Sequence, residues 1–336
     1  MKAVRNQWLG AGKNIFWVSL YAVLFALCSS AAAQQVGKIP RVGILGSVSA
    51  SGSATRIEAL RSGLRDLGYA EGKNIVFEFR WAETNYDRLP ELAAELARRN
   101  VDVLVTHGVP GSLAAKRATT TIPIVMTNVG DAVAVGLIAS LARPGGNITG
   151  ISFFNPELSA KRLELLKEAV PRARQVAVLL NPKNPIKELI LQAMEVTARS
   201  MNMELQKFEL RGSNELENVF SVMTKSRVDA LTVIEDPLLN DNARAIADLA
   251  AKKQLPSTGG LEIAEAGGLM AYGVNIPELW RRSAVFIHKI LKGTKPADLP
   301  VEQPTKFELI INLKTAKQIG LTFPPNLLAR ADRVIR

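Results

Sequence analysis

The sequence has 336 residues, of which 47% are hydrophobic and 22% charged, and its formal net charge is +11. This length predicts two domains of about 150 residues each. The positive charge does not indicate nucleic-acid binding, because lysine and arginine are interspersed with acids and form no run of five, and no aromatic residues alternate with such a run to stack on bases.

The first 33 residues are typical of a secretory signal peptide. Lys2, Arg5 and Lys13 form a positive segment without acids, and an apolar stretch over residues 15–27 follows. That stretch is shorter than the roughly twenty apolar residues of a transmembrane helix, so a retained anchor is the less favoured alternative. Three alanines ending at Ala33 fit a cleavage site, which predicts an exported, periplasmic protein.

Cys28 is the single cysteine of the chain. A lipoprotein signal places a small residue directly before the acylated cysteine, whereas the bulky Leu27 stands there. Cleavage after Ala33 is therefore favoured over lipidation at Cys28. The mature chain then contains no cysteine, which excludes disulfide bonds and thiolate metal sites.

Strands and helices alternate along the rest of the chain. The predicted strands cover residues 41–46, 75–80, 101–106, 122–127, 175–180, 204–209, 229–234, 255–258, 269–273 and 307–311. Between most of them apolar residues recur at helical spacing, including a helix expected to begin at Asp131 and a long one over residues 277–291. This alternation predicts βαβ units and parallel sheets. A Pro- and Gly-rich break near residues 144–150 indicates two sheets, and ligands bind beyond the carboxyl ends of such strands.

Common catalytic motifs are absent from the sequence. It contains no G-x-G-x-x-G after the first strand, no P-loop and no G-x-S-x-G. The serine-rich loop over residues 47–53 has no convincing histidine partner. His107 follows a strand beside the expected cleft, where a structural or solvated role is favoured over a catalytic or metal-binding one. The sequence therefore favours a binding protein over an enzyme, and no cofactor or metal is expected.

Five stretches carry a resemblance to a known family: residues 137–150, 157–167, 181–185, 295–309 and 312–316. Together they resemble the ABC transporter substrate-binding proteins, a family that includes tryptophan- and tyrosine-binding members. The resemblance runs through nearly the whole mature chain. Many members have Pro where this chain has Ala132, a difference that loosens one helix entry without affecting the fold.

The resemblance implies the α/β type I periplasmic binding fold, with two Rossmann-like lobes of parallel sheets joined by a three-crossover hinge. The crossovers are placed near residues 149–152, 272–275 and 299–304. Lobe one would then comprise residues 38–150 and 274–298, and lobe two residues 151–273 and 299–336. The implied function is capture of a small solute by a monomer, which delivers it to an ABC permease and its ATPase.

Candidate ligand-binding residues are polar or small residues at the carboxyl ends of strands or at a crossover. They are Ser47, Ser49, Thr106, Gly108, Asn128, Asp131, Asn181, Asp236 and Tyr272. The serines precede a helix N-terminus, which favours a carboxylate. Glu235 and Asp236 end a strand and suit an ammonium group, since charge-assisted hydrogen bonds are strong. These features predict a zwitterion, hence an amino acid or a related molecule. Turn, cap or packing roles remain the alternative for each residue.

Two other classes of function stay open at this stage. An exported enzyme on the same scaffold would use the serine loop or His107 as its reactive group. A sensory module would present its ligand to a membrane receptor.

Overall fold

The computed structural model describes residues 38–336, so the predicted signal peptide, its cleavage site and Cys28 lie outside the described residues. The strands are β1 (Arg41–Gly46), β2 (Val76–Trp81), β3 (Val103–Thr106), β4 (Ile124–Gly130), β5 (Ile148–Phe153), β6 (Gln175–Leu180), β7 (Glu204–Glu209), β8 (Ala230–Val233), β9 (Ser257–Thr258), β10 (Met270–Gly273), β11 (Glu308–Asn312) and β12 (Arg333–Ile335). The helices are α1 (Ala54–Asp66), α2 (Leu89–Arg98), α3 (Gly108–Ala118), α4 (Asn155–Ala169), α5 (Lys187–Ser200), α6 (Leu216–Lys225), α7 (Pro237–Asp241), α8 (Ala243–Lys252), α9 (Leu261–Glu265), α10 (Ile276–Leu291), α11 (Leu313–Gln318) and α12 (Pro325–Ala329).

Lobe one is built on a five-stranded parallel sheet in the order β2-β1-β3-β4-β5. Helices α1 and α10 cover one face of this sheet, and α2 and α3 cover the other. Helix α10 comes from the C-terminal part of the chain, and its Trp280 is fully buried. Helices on both faces explain why the central strands are continuous apolar runs rather than alternating ones.

Strand β5 was not predicted, because its sequence was interpreted as part of a break between lobes. All six of its residues are buried, and it pairs with β4. Gly150 has φ of +130°, and a Cβ there would lie 2.1 Å from the carbonyl oxygen of Met126. Only glycine fits this close approach. The predicted change of lobe at residue 150 therefore falls inside β5, and the assignment of residues to lobes stays a prediction.

Lobe two contains a four-stranded parallel sheet in the order β7-β6-β8-β9. Beside it, β10 pairs antiparallel with β11, which pairs parallel with β12. The backbone N–H of Tyr272 in β10 donates to the carbonyl of Gly259 just after β9, at 3.2 Å, so the two sheets are joined. Helices α4 and α5 pack on one face of the four-stranded sheet, and α6 and α8 on the other. The predicted class, two α/β lobes with largely parallel sheets, is confirmed.

Two of the segments that connect the lobes run side by side. Ile151 and Glu302 form an isolated parallel bridge. The N–H of Glu302 donates to Gly150 at 2.9 Å, and the N–H of Ser152 donates to Glu302 at 3.0 Å. A third connection leaves β10 and enters α10 through Asn275, whose side chain caps that helix. Short hydrogen-bonded connections of this kind are where a hinge absorbs changes in backbone torsion.

The helix expected to begin at Asp131 does not form, so that prediction was wrong. Asp131 has φ of +43° and Gly136 has φ of +69°, and both values lie in the left-handed region. The N–H of Asp131 donates to the carbonyl of Phe153 at 2.8 Å, which continues the pairing of β4 with β5. The segment after β4 therefore follows the sheet and then a series of turns. Within residues 38–336, no helix is long and apolar enough to cross a membrane.

Candidate functional site

The carboxyl ends of strands from both lobes face each other across a cleft, which is closed around a cavity. Lobe one lines this cavity with the first turn of α1 and the residues that follow β3 and end β4. Lobe two lines it with the loop after β6 and the segment after β8. The lining includes the polar side chains of Arg56, His107, Asn128, Asn184, Glu235 and Asp236.

Arg56 is the buried cation of the lobe-one wall, and its residue is only 9% exposed. No hydrogen bond or salt bridge joins its guanidinium to another residue within 38–336. It also lies in the first turn of α1, where the helix dipole disfavours positive charge. A buried cation that forms no salt bridge is costly unless an anion arrives, even though Asp241 and Glu262 act on Arg56 from beyond salt-bridge distance. Arg56 is therefore suited to a carboxylate.

His107 follows β3 and is buried against the same wall. Its Nε2 accepts a hydrogen bond from the backbone N–H of Ser47 at 3.2 Å, so the neutral ring carries its proton on Nδ1. Burial, assisted by the positive charge of Arg56, lowers the pKa of His107 to about 3. The ring is therefore uncharged at neutral pH, and its orientation is fixed.

Asn128, near the end of β4, is held in one orientation by two donors. Its Oδ1 accepts from Trp280 Nε1 at 3.0 Å and from Thr127 Oγ1 at 2.9 Å. Its Nδ2 makes no hydrogen bond among the residues that the structure describes, and the residue lines the cavity. Asn128 therefore supplies a neutral donor on the same wall as Arg56.

Asp236 lies opposite, directly after β8, and is 2% exposed. Its Oδ1 accepts hydrogen bonds from Tyr86 Oη at 2.7 Å, Leu238 N at 2.9 Å and Asn181 Nδ2 at 3.1 Å. Its Oδ2 is buried and has no partner within residues 38–336. Burial raises the pKa of Asp236 to about 6 despite these three donors. Because Tyr86 belongs to lobe one, its hydrogen bond to Asp236 also joins the two lobes across the cleft.

Glu235, beside Asp236, is 7% exposed and lies next to a fully buried arginine. Arg162 Nη2 is 3.1 Å from Glu235 Oε1, an ion pair without the alignment of a hydrogen bond. Arg162 Nε donates to the carbonyl of Tyr272 at 2.6 Å. The second oxygen of Glu235, Oε2, is buried without a partner in the described part of the chain. The lobe-two wall thus presents two buried carboxylates with free acceptor positions.

The structure brings three of the predicted site residues to the cavity surface: Gly108, Asn128 and Asp236. Three others lie close to those residues. Ser47 donates to His107 through its backbone, the Thr106 hydroxyl donates to the carbonyl of Leu45, and Asn181 donates to Asp236.

The remaining three predicted residues lie away from the cavity lining. Ser49 Oγ accepts from Gly52 N at 3.0 Å in the loop before α1. Asp131 Oδ1 accepts from Ala134 N at 3.0 Å and stabilises a turn. Tyr272 is half-buried in β10 and stacks on Phe307 with ring centroids 6.1 Å apart. Ligand binding by any of the nine residues stays a prediction.

Arg56 and Asn184 were missed by the sequence reasoning. Arg56 was one of the basic residues interspersed with acids, here Glu58, and its position was expected to be a solvated helix face. Its place in the first turn of the helix after β1, against the helix dipole, was an available signal. Asn184 lies in a loop after Asn181, and no periodicity identifies its side chain as buried. Within residues 38–336, no group of three or more His, Cys, Asp or Glu residues is arranged to hold a metal ion.

A two-lobed α/β fold with a polar cavity closed between the lobes defines a solute-binding protein. Residues 41–335 match the family of ABC transporter substrate binding proteins, so the chain belongs to this family. Its members are extracytoplasmic binding proteins that capture small-molecule solutes for ABC transporters.

Individual relatives agree with this assignment. The chain is 28% identical over 260 residues to a tyrosine-binding protein of Clostridioides difficile, covering 77% of this chain and 74% of the relative. An ABC domain in complex with L-Trp from Streptococcus pneumoniae is 25% identical, with a TM-score of 0.81 over 88% of this chain and 99% of that one.

A ligand-free, open substrate-binding protein from Clostridium difficile is similar at 26% identity, with a TM-score of 0.62 over 88% of this chain and 99% of that one. Its identity to this chain is nearly that of the tryptophan complex, yet its backbone superposes less well. This difference is consistent with the closed cleft of the present chain.

Proposed function

We propose that this protein is a receptor that holds an amino acid, or a related zwitterion, in the interlobe cleft and delivers it to an ABC importer. The observation that carries the proposal is charge placement. Arg56 on lobe one forms no salt bridge within the described residues, and the carboxylates of Glu235 and Asp236 on lobe two have oxygens that accept no hydrogen bond. A solute with one carboxylate and one ammonium group complements both walls. Relatives named for tyrosine binding and L-Trp binding support this class of solute.

Closure of the cleft gives this recognition its strength. An ammonium group in contact with Asp236 Oδ2 and a carboxylate in contact with Arg56 form charge-assisted hydrogen bonds away from bulk water. Asn128 adds a neutral donor on the Arg56 wall. A solute that lacks either charge leaves a buried group unpaired, which is the most effective basis for rejection.

We propose that the solute is returned unchanged. A hydrolytic mechanism needs a nucleophile paired with a base. His107 Nε2 accepts from the backbone N–H of Ser47, and the Ser47 hydroxyl has no hydrogen-bond partner within the described residues. This arrangement supports a fixed, uncharged wall rather than an activated serine.

The cellular setting is part of the same proposal. The protein is exported to the periplasm after cleavage at Ala33, and it acts as a monomer that engages a permease with its ATPase and no nucleic acid. The sequence features of residues 1–33 support export, and membership of the substrate-binding family supports the permease as partner.

Replacement of the unpaired arginine tests the proposal. In a thermal-shift screen of the chain from Gln34 onward, we expect L-amino acids to raise the melting temperature, while sugars and nucleosides leave it unchanged. A ligand at one hundred times its Kd stabilises the folded state by about 2.7 kcal/mol. Arg56→Gln leaves the solute carboxylate unpaired, so we expect affinity to fall by about 2–5 kcal/mol.

Arg65→Gln is the matched control, because Arg65 lies on the same helix but pairs with Glu58 at the surface. It should bind like the parent protein. A sugar or nucleoside that shifts the melting temperature when no amino acid does would refute the proposed solute class and leave the receptor assignment standing.

A further inference from the structure

Beside Glu235 and Asp236, a third carboxylate group has a buried oxygen without a hydrogen-bond partner, and a simple zwitterion does not use it. Glu262, in the first turn of α9, lines a second cavity that shares Arg56, Asn240 and Ile276 with the first. Its Oε2 is buried and has no hydrogen-bond partner within residues 38–336.

Glu262 and Glu235 approach each other across Gly260. A Cβ at Gly260 would lie 2.7 Å from Glu235 Oε1 and 3.0 Å from Glu262 Oε2. The two oxygens can be no further apart than the sum of these distances. The space between them is open because residue 260 is a glycine and has no side chain to fill it. Burial and the negative charge of Glu235 raise the pKa of Glu262, while the positive charge of Arg56 opposes that rise.

The nearby cations do not compensate these acids. Arg162 is engaged by Glu235 and by the carbonyl of Tyr272. Arg56 is the partner that the proposed function assigns to the solute carboxylate, and His107 is neutral. When the solute engages Arg56 and Asp236, Glu235 keeps its ion pair with Arg162, whereas the cation that acts on Glu262 is taken up by the solute carboxylate. Asp241, at the edge of the cleft near Gly52, adds a further negative charge.

We infer that the solute is a basic amino acid whose side-chain cation lies between Glu235 and Glu262, beside Gly260. This inference rests on the proposed function, because it assigns the α-carboxylate to Arg56 and the α-ammonium to Asp236. An organic cation fits better than a metal ion, since the described residues contain no group of three or more potential ligands arranged around one point.

Isothermal titration of L-lysine, L-arginine and L-norleucine tests the inference, because norleucine keeps the unbranched aliphatic side chain without its terminal charge. We expect lysine or arginine to bind at least about tenfold more tightly than norleucine. Glu262→Gln should remove most of that preference by weakening the binding of lysine and arginine relative to norleucine. Glu58→Gln, at an exposed glutamate on α1, is the matched control and should keep the preference.

The outcomes separate this inference from the proposed function. If norleucine, tryptophan or tyrosine bound as tightly as lysine and arginine, the inference of a basic side chain would be overturned. The proposal of an amino-acid receptor would still stand. Absence of heat with every amino acid would overturn both. The selectivity of the parent protein decides the question even where Glu262→Gln fails to fold.

Discussion

Asp236 has two oxygens in different surroundings. Oδ1 accepts three hydrogen bonds, and Oδ2 accepts none within the described residues. Burial raises its pKa to about 6, above the unfolded value near 3.8. The folded state therefore holds the proton more tightly than the unfolded chain, and stability falls as pH rises from about 4 through 6. At neutral pH this carboxylate costs on the order of 3 kcal/mol in the absence of solute.

Asp236→Asn should remove that cost without disturbing the hydrogen bonds. An asparagine Oδ1 can accept from Tyr86, Leu238 and Asn181, and its Nδ2 replaces the oxygen that has no partner. We expect a higher melting temperature than the parent at pH 7.5, a difference that shrinks toward zero at pH 4, and loss of amino-acid binding.

Differential scanning calorimetry at several pH values measures the stability effect of Asp236→Asn. Asp248→Asn, at an exposed acid paired with Arg244, should show neither the stability gain nor the loss of binding. A lower melting temperature for Asp236→Asn at pH 7.5 would show that the ionised carboxylate stabilises the fold, contrary to this account.

At the scale of residues, the sequence predicted the acids of the site better than its cation. Asp236 could be predicted because it and Glu235 directly follow an apolar strand, and charged residues are rare in such buried positions. Arg56 could not be predicted, because an arginine near a glutamate in a helix is usually a surface residue. Its burial depends on lobe two, which no local pattern encodes.

Among the elements, the segment from β3 into α3 brings the backbone of one lobe against the other. Gly108 has φ of +66°, and a Cβ there would lie 3.0 Å from Pro237 Cγ across the cleft. Gly136 has φ of +69°, and a Cβ there would meet nothing within 4 Å. The two positions share the same backbone strain and differ in the contact between lobes.

Replacement of these glycines by alanine separates strain from closure. Gly108→Ala and Gly136→Ala should each destabilise the fold by roughly 1–2 kcal/mol, since alanine disfavours the left-handed region. We expect Gly108→Ala alone to weaken solute binding, as seen by titration, because its methyl group opposes closure. Equal affinity for the two variants would show that the Gly108–Pro237 contact plays no part in closure.

Elements with compact apolar runs were predicted most accurately. The bounds of β1 and β6 coincide with those expected, because each is a largely apolar run of six residues, the first ending at Gly46 and the second directly before Asn181. Strand β5 was missed because Gly150 was interpreted as a break, when it permits close approach to β4. The absent helix after Asp131 reflects backbone pairing with Phe153, a long-range contact that propensity does not report.

At the scale of the whole molecule, adjacent crossovers join two lobes that meet across a closed cleft. The closed form is held by the hydrogen bond from Tyr86 to Asp236 and by the surface ion pair of Lys183 with Asp87 at 2.5 Å. An exposed pair of this kind contributes about 0–1 kcal/mol. A solute that contacts both walls contributes more and shifts the population toward closure.

We expect that both charges of an amino acid are required for binding. The direct measurement is isothermal titration of the L-amino acid with the largest thermal shift, beside its decarboxylated amine and its deaminated acid. We expect saturable heat from the amino acid and at least about thirtyfold weaker binding of each analogue, since each leaves Arg56 or Asp236 without its partner. Binding of either analogue as tightly as the amino acid itself would contradict this expectation, because one wall of the cleft would then take no part in recognition.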